Sequence, residues 1–275
     1  MSAAAVISFH PSVSGAVTVP WRESLPIAAA AGFRAIDVSL AELAHEPPSA
    51  VREALQAAGL TAGPASLPVE FRQDEERYRH DLALLPRLAA LAAALGVTTM
   101  FRSIPASSDV PPAEMLPRLR RRLTVIAGVL REHEIGFALE VLSPLHRRRE
   151  GAHELIWRLQ DGAEFARSCA DDAGMLVDSW HWHHARESER DIVALGDAIR
   201  HVHVADAADL PPAAVRDEER LLPGDGVIDF TSFFAALDAA GYTGFISPEV
   251  RGYQCSMGPA ECARAAHAAV RRCMG

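Results

Sequence analysis

The sequence predicts a single-domain (β/α)8 barrel, the TIM-barrel class of α/β fold, over residues 1–275, and three observations carry that expectation. The length of 275 residues is close to the roughly 250 of an ordinary α/β barrel. An Ala-rich amphipathic segment that runs into Gly and then into an apolar stretch recurs along the chain. Neither GxGxxG nor GxxxxGK[ST] follows the first apolar run, which counts against the competing open doubly wound sheet.

The recurring joint reads AAAAGFRAIDV, LQAAGLTAGPAS, AAALGVTTMF, REHEIGFALEV, DDAGMLVDSW and LDAAGYTGFISPEV. Gly just past a helix releases the chain in a left-handed conformation, and the apolar residues after it suit a strand buried on both faces. With the opening run Val6 to Phe9 and the HVHVAD run after Ile199, eight strands emerge. They alternate with helices expected near 22–31, 48–58, 74–95, 113–133, 151–170, 187–198, 229–240 and 259–273. The pairs Pro47-Pro48, Pro111-Pro112 and Pro211-Pro212 fall between elements, and no low-complexity linker divides the chain.

Composition narrows the functional classes. Hydrophobic residues make up 49% and aromatic residues 6%, as in a globular core built from Ala, Leu and Val. No window approaches the ~18 apolar residues that cross a bilayer, and MSAAAVISFH lacks a secretory pattern, so no membrane partner and a cytoplasmic location are expected. Cys169, Cys255, Cys262 and Cys273 have no CxxC or metal-finger spacing and are expected as reduced thiols. A net charge of -9 repels a phosphate backbone, and RLRRR (Arg118 to Arg122) reads as a solvated helix face, so no nucleic acid is expected as a partner.

In a parallel barrel the C-terminal strand ends share one face, so polar residues that close apolar strands converge there. FALEV delivers Glu140, MLVDSWHWHH delivers Asp178 and His181, HVHVAD delivers His201, His203 and Asp206, and FISPEV delivers Glu249. Each acid alone could be a helix cap. Together, Glu140, Asp178, His203 and Glu249 form an oxygen-rich shell with one imidazole, suited to one divalent metal ion: Mn2+ first, with Mg2+, Co2+ or Zn2+ as alternatives. His201 and His203 share a face by alternation, and His203, nearer the strand end, has the better reach. His201 is expected to fill the interior or orient a ligand. Arg102, closing MFRSIP, offers a cation for a substrate oxygen. In HWHH, His181 is expected in the pocket beside a Trp wall, with His183 and His184 at the start of the next loop.

These residues resemble the xylose-isomerase-like barrels, which include sugar phosphate isomerases/epimerases, ketose 3-epimerases and inosose dehydratases. The resemblance covers essentially the whole chain and rests on the ALE at Glu140, the DxxH of Asp178 and His181, the HxH of His201 and His203, the LPGDGVID of Leu222 to Asp229, and the PE at Glu249. It implies that Glu140, Asp178, His203 and Glu249 are metal ligands, that Glu140 and Glu249 double as the proton-transfer pair, and that His181 touches a substrate oxygen. Ketose 3-epimerases carry a second carboxylate where this chain has His146, and an Arg where it has Asp209. His146, and Arg220 or Arg216 before the LPGDG turn, are the candidates to serve the substrate instead. The strand ends IDVSL, GPASLP and MFRSIP lack the histidines of the related apurinic-site endonucleases.

The expected activity is proton transfer next to a carbonyl on a small carbohydrate-like substrate: a sugar, sugar phosphate, cyclitol or related keto compound. Isomerisation, epimerisation and dehydration all remain open from sequence. A hydrolase using the same shell and a non-catalytic sugar-binding barrel are the rivals. Self-association as a homo-oligomer is compatible with the sequence.

Overall fold

A computed structural model describes residues 5–15 and 18–275. Its eight barrel strands are β1 (Val6–Phe9), β2 (Ala35–Val38), β3 (Thr61–Ser66), β4 (Thr99–Ser103), β5 (Gly136–Glu140), β6 (Gly174–Asp178), β7 (Ile199–Val204) and β8 (Phe245–Pro248). All pair in parallel in sequence order, and β1 closes the ring against β8 through Val6↔Phe245 and Ile7↔Ile246. The connecting helices are α1 (Trp21–Ala31), α2 (Pro48–Ala57), α3 (Glu75–Leu95), α4 (Pro112–Arg131), α5 (Leu159–Cys169), α6 (Glu189–Val193), α7 (Phe230–Ala239) and α8 (Pro259–Met274). None is long and apolar enough to cross a membrane among the described residues.

The main core lies between the strands and the helix ring. On α4 the spacing of Leu119, Leu123, Ile126 and Leu130 makes one apolar stripe, and all four are fully buried. Each such side chain stabilises the fold by about 1.5 to 3 kcal/mol relative to exposure. Inside the barrel a smaller cluster of Phe101, Ala138 and Leu176 supports the rings of His201 and His203, which lie 5.1 and 5.2 Å from Phe101.

The helix-to-strand joints use glycine in two ways. Gly32, Gly59, Gly96 and Gly241 carry positive φ, as the joint pattern requires. At the REHEIG joint the left-handed residue is instead Glu134 (φ 58), and Gly136 opens the strand. Gly174 is extended too; a Cβ there would meet Ala198 O and lie 2.6 Å from Arg200 Cγ, so close strand approach demands it.

Four other expectations are corrected. The 151–170 segment does not begin as helix: His153–Glu154 pairs antiparallel with Ser107–Ser108, and α5 starts only at Leu159. Over 187–198 the helix is confined to α6, followed by a 3-10 turn at Gly196–Ala198, and an extra helix, Ser179–Ala185, stands directly after β6. Arg122 of RLRRR is buried rather than solvated; it donates to Phe71 O (2.8 Å) and Gln73 O (2.7 Å) and sits 4.7 Å from the Tyr78 ring centre. Cys255 and Cys262, expected as thiols, form a disulfide with Cα atoms 6.0 Å apart; Cys169 and Cys273 are free. Tertiary folding of the segment after β8 brings this pair within bridging distance, which their spacing did not signal.

Candidate metal centre and active site

Parallel register sets the site. Ser103 pairs with Glu140, Asp178 with His203, and His203 with Ser247, which places adjacent strand ends level with one another. Glu249 follows β8 and is held in line by its own N–H, which donates to Val204 O at 3.1 Å. One ligand atom from each of Glu140, Asp178, His203 and Glu249 then lies within 4.8 Å of the others. All four residues are buried. Glu140 Oε1 and both His203 ring nitrogens have no hydrogen-bond partner, although His203 Nδ1 lies 3.6 Å from Glu140 and 3.7 Å from Glu249. Buried polar atoms without partners are costly. Three carboxylates and an imidazole converging with unsatisfied lone pairs fit a divalent cation.

The cap and ligand readings of Asp178 are compatible. Its Oδ1 accepts from Trp180 N (2.7 Å) and His181 N (3.4 Å), capping the helix Ser179–Ala185, while Oδ2 faces the cluster. Arg220 reaches in from the β7–α7 loop: NH1 donates to Asp178 Oδ2 at 2.8 Å and to Glu249 Oε2 at 2.9 Å. Trp180, with Trp182 one of two candidates for a wall against a sugar ring, lies under this guanidinium at 4.5 Å. Burial alone would raise the Glu249 carboxyl, but Arg220 and His203 bring it down to about 2. Asp178 is likewise held below the usual carboxylate range, against its burial, by Arg220, His181 and His203. His203 loses to desolvation but gains more from Glu140 and Glu249, and stands at about 9.

His181 is fully buried beside this cluster. Both of its ring nitrogens face donors: the Ser143 N–H lies 3.4 Å from Nδ1, and Arg220 Nη2, which can only donate, lies 3.3 Å from Nε2. Burial lowers its pKa, with the Asp178 carboxylate opposing that shift.

The LPGDG turn explains how Arg220 is held. Asp206, fully buried just after β7, accepts four backbone N–H bonds: from Ala207 and Ile228 on Oδ1 and from Gly224 and Gly226 on Oδ2, all at 2.8 to 2.9 Å. A Cβ on Gly226 would stand 2.6 Å from Asp206 Oδ1, and one on Gly252 would run into the Glu218 backbone beside Arg220. Asp206→Ala removes the acceptor for all four donors. It is expected to cost about 3 kcal/mol or more, read as a drop of roughly 6 to 12 °C in Tm, whereas Asp206→Asn, which keeps one oxygen, should lose less.

The remaining sequence candidates are placed unevenly. Arg220 joins the cluster, and Arg216 is exposed and bonds only local carbonyls. Arg102, expected to be free for substrate, donates to Glu70 Oε2 (2.7 Å) and Leu67 O (3.2 Å). His146 sits 3.7 Å from the buried carboxylate of Asp217, which Arg147 also binds. His201 is a core residue, fully buried with Nδ1 3.1 Å from Phe245 O. His183 and His184 are half-buried on the last turn of the helix after β6 rather than in a loop.

Sequence reasoning missed four neighbours. His10 Nε2 lies 3.9 Å from Glu249 Oε1. Its position immediately after β1 was the available signal. Asp37 accepts from Ser8 (2.6 Å) and Ser247 (2.9 Å), and its pKa is raised by burial to about 6. Arg72 clamps Glu70 and reaches Ser103 at 3.0 Å, and Asp217 comes from the turn that ends at Arg220. These last two lie in irregular segments where no strand-end rule applies.

The xylose isomerase-like TIM barrel family model matches residues 25–273, and the chain belongs to that family. Among characterised relatives, an inosose isomerase from Bacillus licheniformis is 35% identical over 81 residues, 29% of either chain. An inosose dehydratase from Erwinia tasmaniensis is 31% identical over 142 residues, 45% of this chain and 47% of that protein. The matches thus span less than half of these relatives' length. Among solved structures, a xylose isomerase domain protein from Alicyclobacillus acidocaldarius subsp. acidocaldarius superposes with a TM-score of 0.90 at 29% identity, covering 98% of both chains. An IOLI protein with a bound zinc atom aligns over 98% of both chains with a TM-score of 0.83 at 18% identity, a likeness of fold alone.

Proposed function

We propose that this protein is a divalent-metal-dependent isomerase or epimerase that moves a proton next to the carbonyl of a sugar-like or cyclitol-like substrate. The observation that carries this reading is the convergence of Glu140, Asp178, His203 and Glu249 within 4.8 Å, three of them carboxylates, with His181 and a cationic Arg220 alongside. The four converging residues would hold the ion, with Mn2+ the first choice for an oxygen-rich shell. Such an ion draws negative charge onto the substrate oxygens and so makes the adjacent C–H more acidic.

The chain's own groups would then move the proton. One of Glu140 and Glu249 removes it from the carbon next to the carbonyl; the other returns it on the opposite face, which is epimerisation. Return by the same residue to the neighbouring carbon is aldose-ketose isomerisation. His181 touches a substrate oxygen, and Arg220 balances the carboxylates while leaving an edge for a hydroxyl. Similarity to an inosose dehydratase supports a second reading, in which a β-hydroxyl leaves after the same proton abstraction.

The test is solvent exchange. Incubated in D2O with an inosose, D-fructose or L-ribulose and added Mn2+, the protein is expected to wash deuterium into the carbon next to the carbonyl. Loss of water would mark the dehydratase reading, and no exchange with any of the three would overturn both. Asp178→Ala is expected to lose bound metal and exchange together, measured by elemental analysis of the same sample. Full metal content in that variant would remove Asp178 from the ligand set.

A further inference from the structure

We propose that the cavity flanking the helix Ser179–Ala185, distinct from the four-residue cluster, binds an organic oxyanion: a phosphate monoester or carboxylate with a compact apolar body. The cavity holds about 720 Å³ and is walled by the loops after β5, β6 and β7. That is the size of a metabolite site. None of the four cluster residues lines it, and the buried Trp180 touches both neighbourhoods, with Arg220 4.5 Å from its ring centre and the His184 ring 4.4 Å away.

The charge of the wall points to the ligand. The whole chain carries -9, yet Arg148, Arg158 and Arg186 face this cavity against one acid, Asp209. Arg148 is committed to Glu154 at 2.9 and 3.0 Å. Among the described residues, Arg158 and Arg186 have no carboxylate within ion-pair distance. The guanidinium carbons of Arg148 and Arg158 lie 3.7 and 4.4 Å from the Trp157 ring centre, which holds these otherwise mobile side chains in place. Pre-positioned guanidinium groups bind oxyanions at small entropic cost. His184 also lines the cavity.

The apolar part of the lining is formed by Leu145, Leu210, Val215 and Val227, of which Leu210 and Val227 are 41% and 48% exposed. Large apolar side chains left in water at the mouth of a cationic cavity call for a ligand with a nonpolar body as well as a charged head. A bare inorganic anion would leave that wall wet.

Isothermal titration calorimetry with phenyl phosphate, benzoate, inorganic phosphate and phenol separates head from body. Phenyl phosphate or benzoate is expected to bind at least ten-fold more tightly than inorganic phosphate or phenol, and the better of the two identifies the head group. The double variant Arg158→Ala/Arg186→Ala, which changes only exposed residues, should weaken that binding at least ten-fold while leaving metal content unchanged. In Asp178→Ala, or in chelator-treated protein should that variant misfold, the affinity should stay the same. No binding at 10 mM, affinity indifferent to the two arginines, or binding lost with the metal centre would each overturn the proposal. The solvent-exchange result bears on none of these outcomes.

Discussion

Glu140→Gln and Glu249→Gln are each expected to lower turnover by about 10²- to 10⁴-fold, the range for lost general acid-base catalysis, with folding intact. The amide is nearly isosteric and keeps an oxygen that can face a cation, but it accepts no proton at neutral pH. The two sites are not equivalent. Glu249 Oε2 is already bonded by Arg220 at 2.9 Å, so the Gln variant also weakens that charge-assisted contact. Glu140 Oε1 has no partner, so its Gln variant tests proton transfer more cleanly. For an epimerase the variants should differ in kind: one loses deuterium exchange from one substrate epimer and keeps it from the other. Near-normal turnover of both at saturating metal would make the two glutamates ligands only, and His181 would become the first candidate for moving the proton.

Arg220→Met is expected to cost about 3 to 5 kcal/mol in metal-free protein, because it removes one side of a buried ion-pair network and leaves its carboxylates unbalanced. Arg220 and Asp178 are 4% and 2% exposed, so little solvent reaches the pair. The packing loss is small, since Met still fills the space over Trp180. The deficit is therefore electrostatic, and saturating divalent cation should restore more Tm to Arg220→Met than to the wild type. A melting series with and without Mn2+ measures this. Equal metal-induced shifts would show that Arg220 does not balance the cluster. Turnover should remain low in the variant even when metal restores its stability, because the cation beside the substrate is gone.

Much of the site was legible in linear sequence because the parallel barrel converts a simple rule into geometry. Strands that alternate with helices must all point one way, so an acid or imidazole closing an apolar run lands on the common face. Glu140, Asp178, His203 and Glu249 each close such a run, and the structure brings their ligand atoms together. His201 and His203 follow from two-residue alternation, the one buried lower in the barrel and the other at its end. Arg102 obeyed the same rule in position but not in role, since Glu70, from a loop with no periodicity, takes up its guanidinium.

What the sequence by itself determined is the barrel, its strand order and the end of it where carboxylates and imidazoles gather, because hydrophobic period and glycine joints are local signals that repeat. Only the tertiary structure decided what surrounds that end. It set Asp217 and Arg220 on one turn, made Asp206 the acceptor for the LPGDG backbone, joined Cys255 to Cys262, and laid Trp180 against both Arg220 and His184. Those contacts are made by irregular loops, whose paths are set by long-range hydrogen bonds and charge pairing rather than by any repeating pattern of side chains.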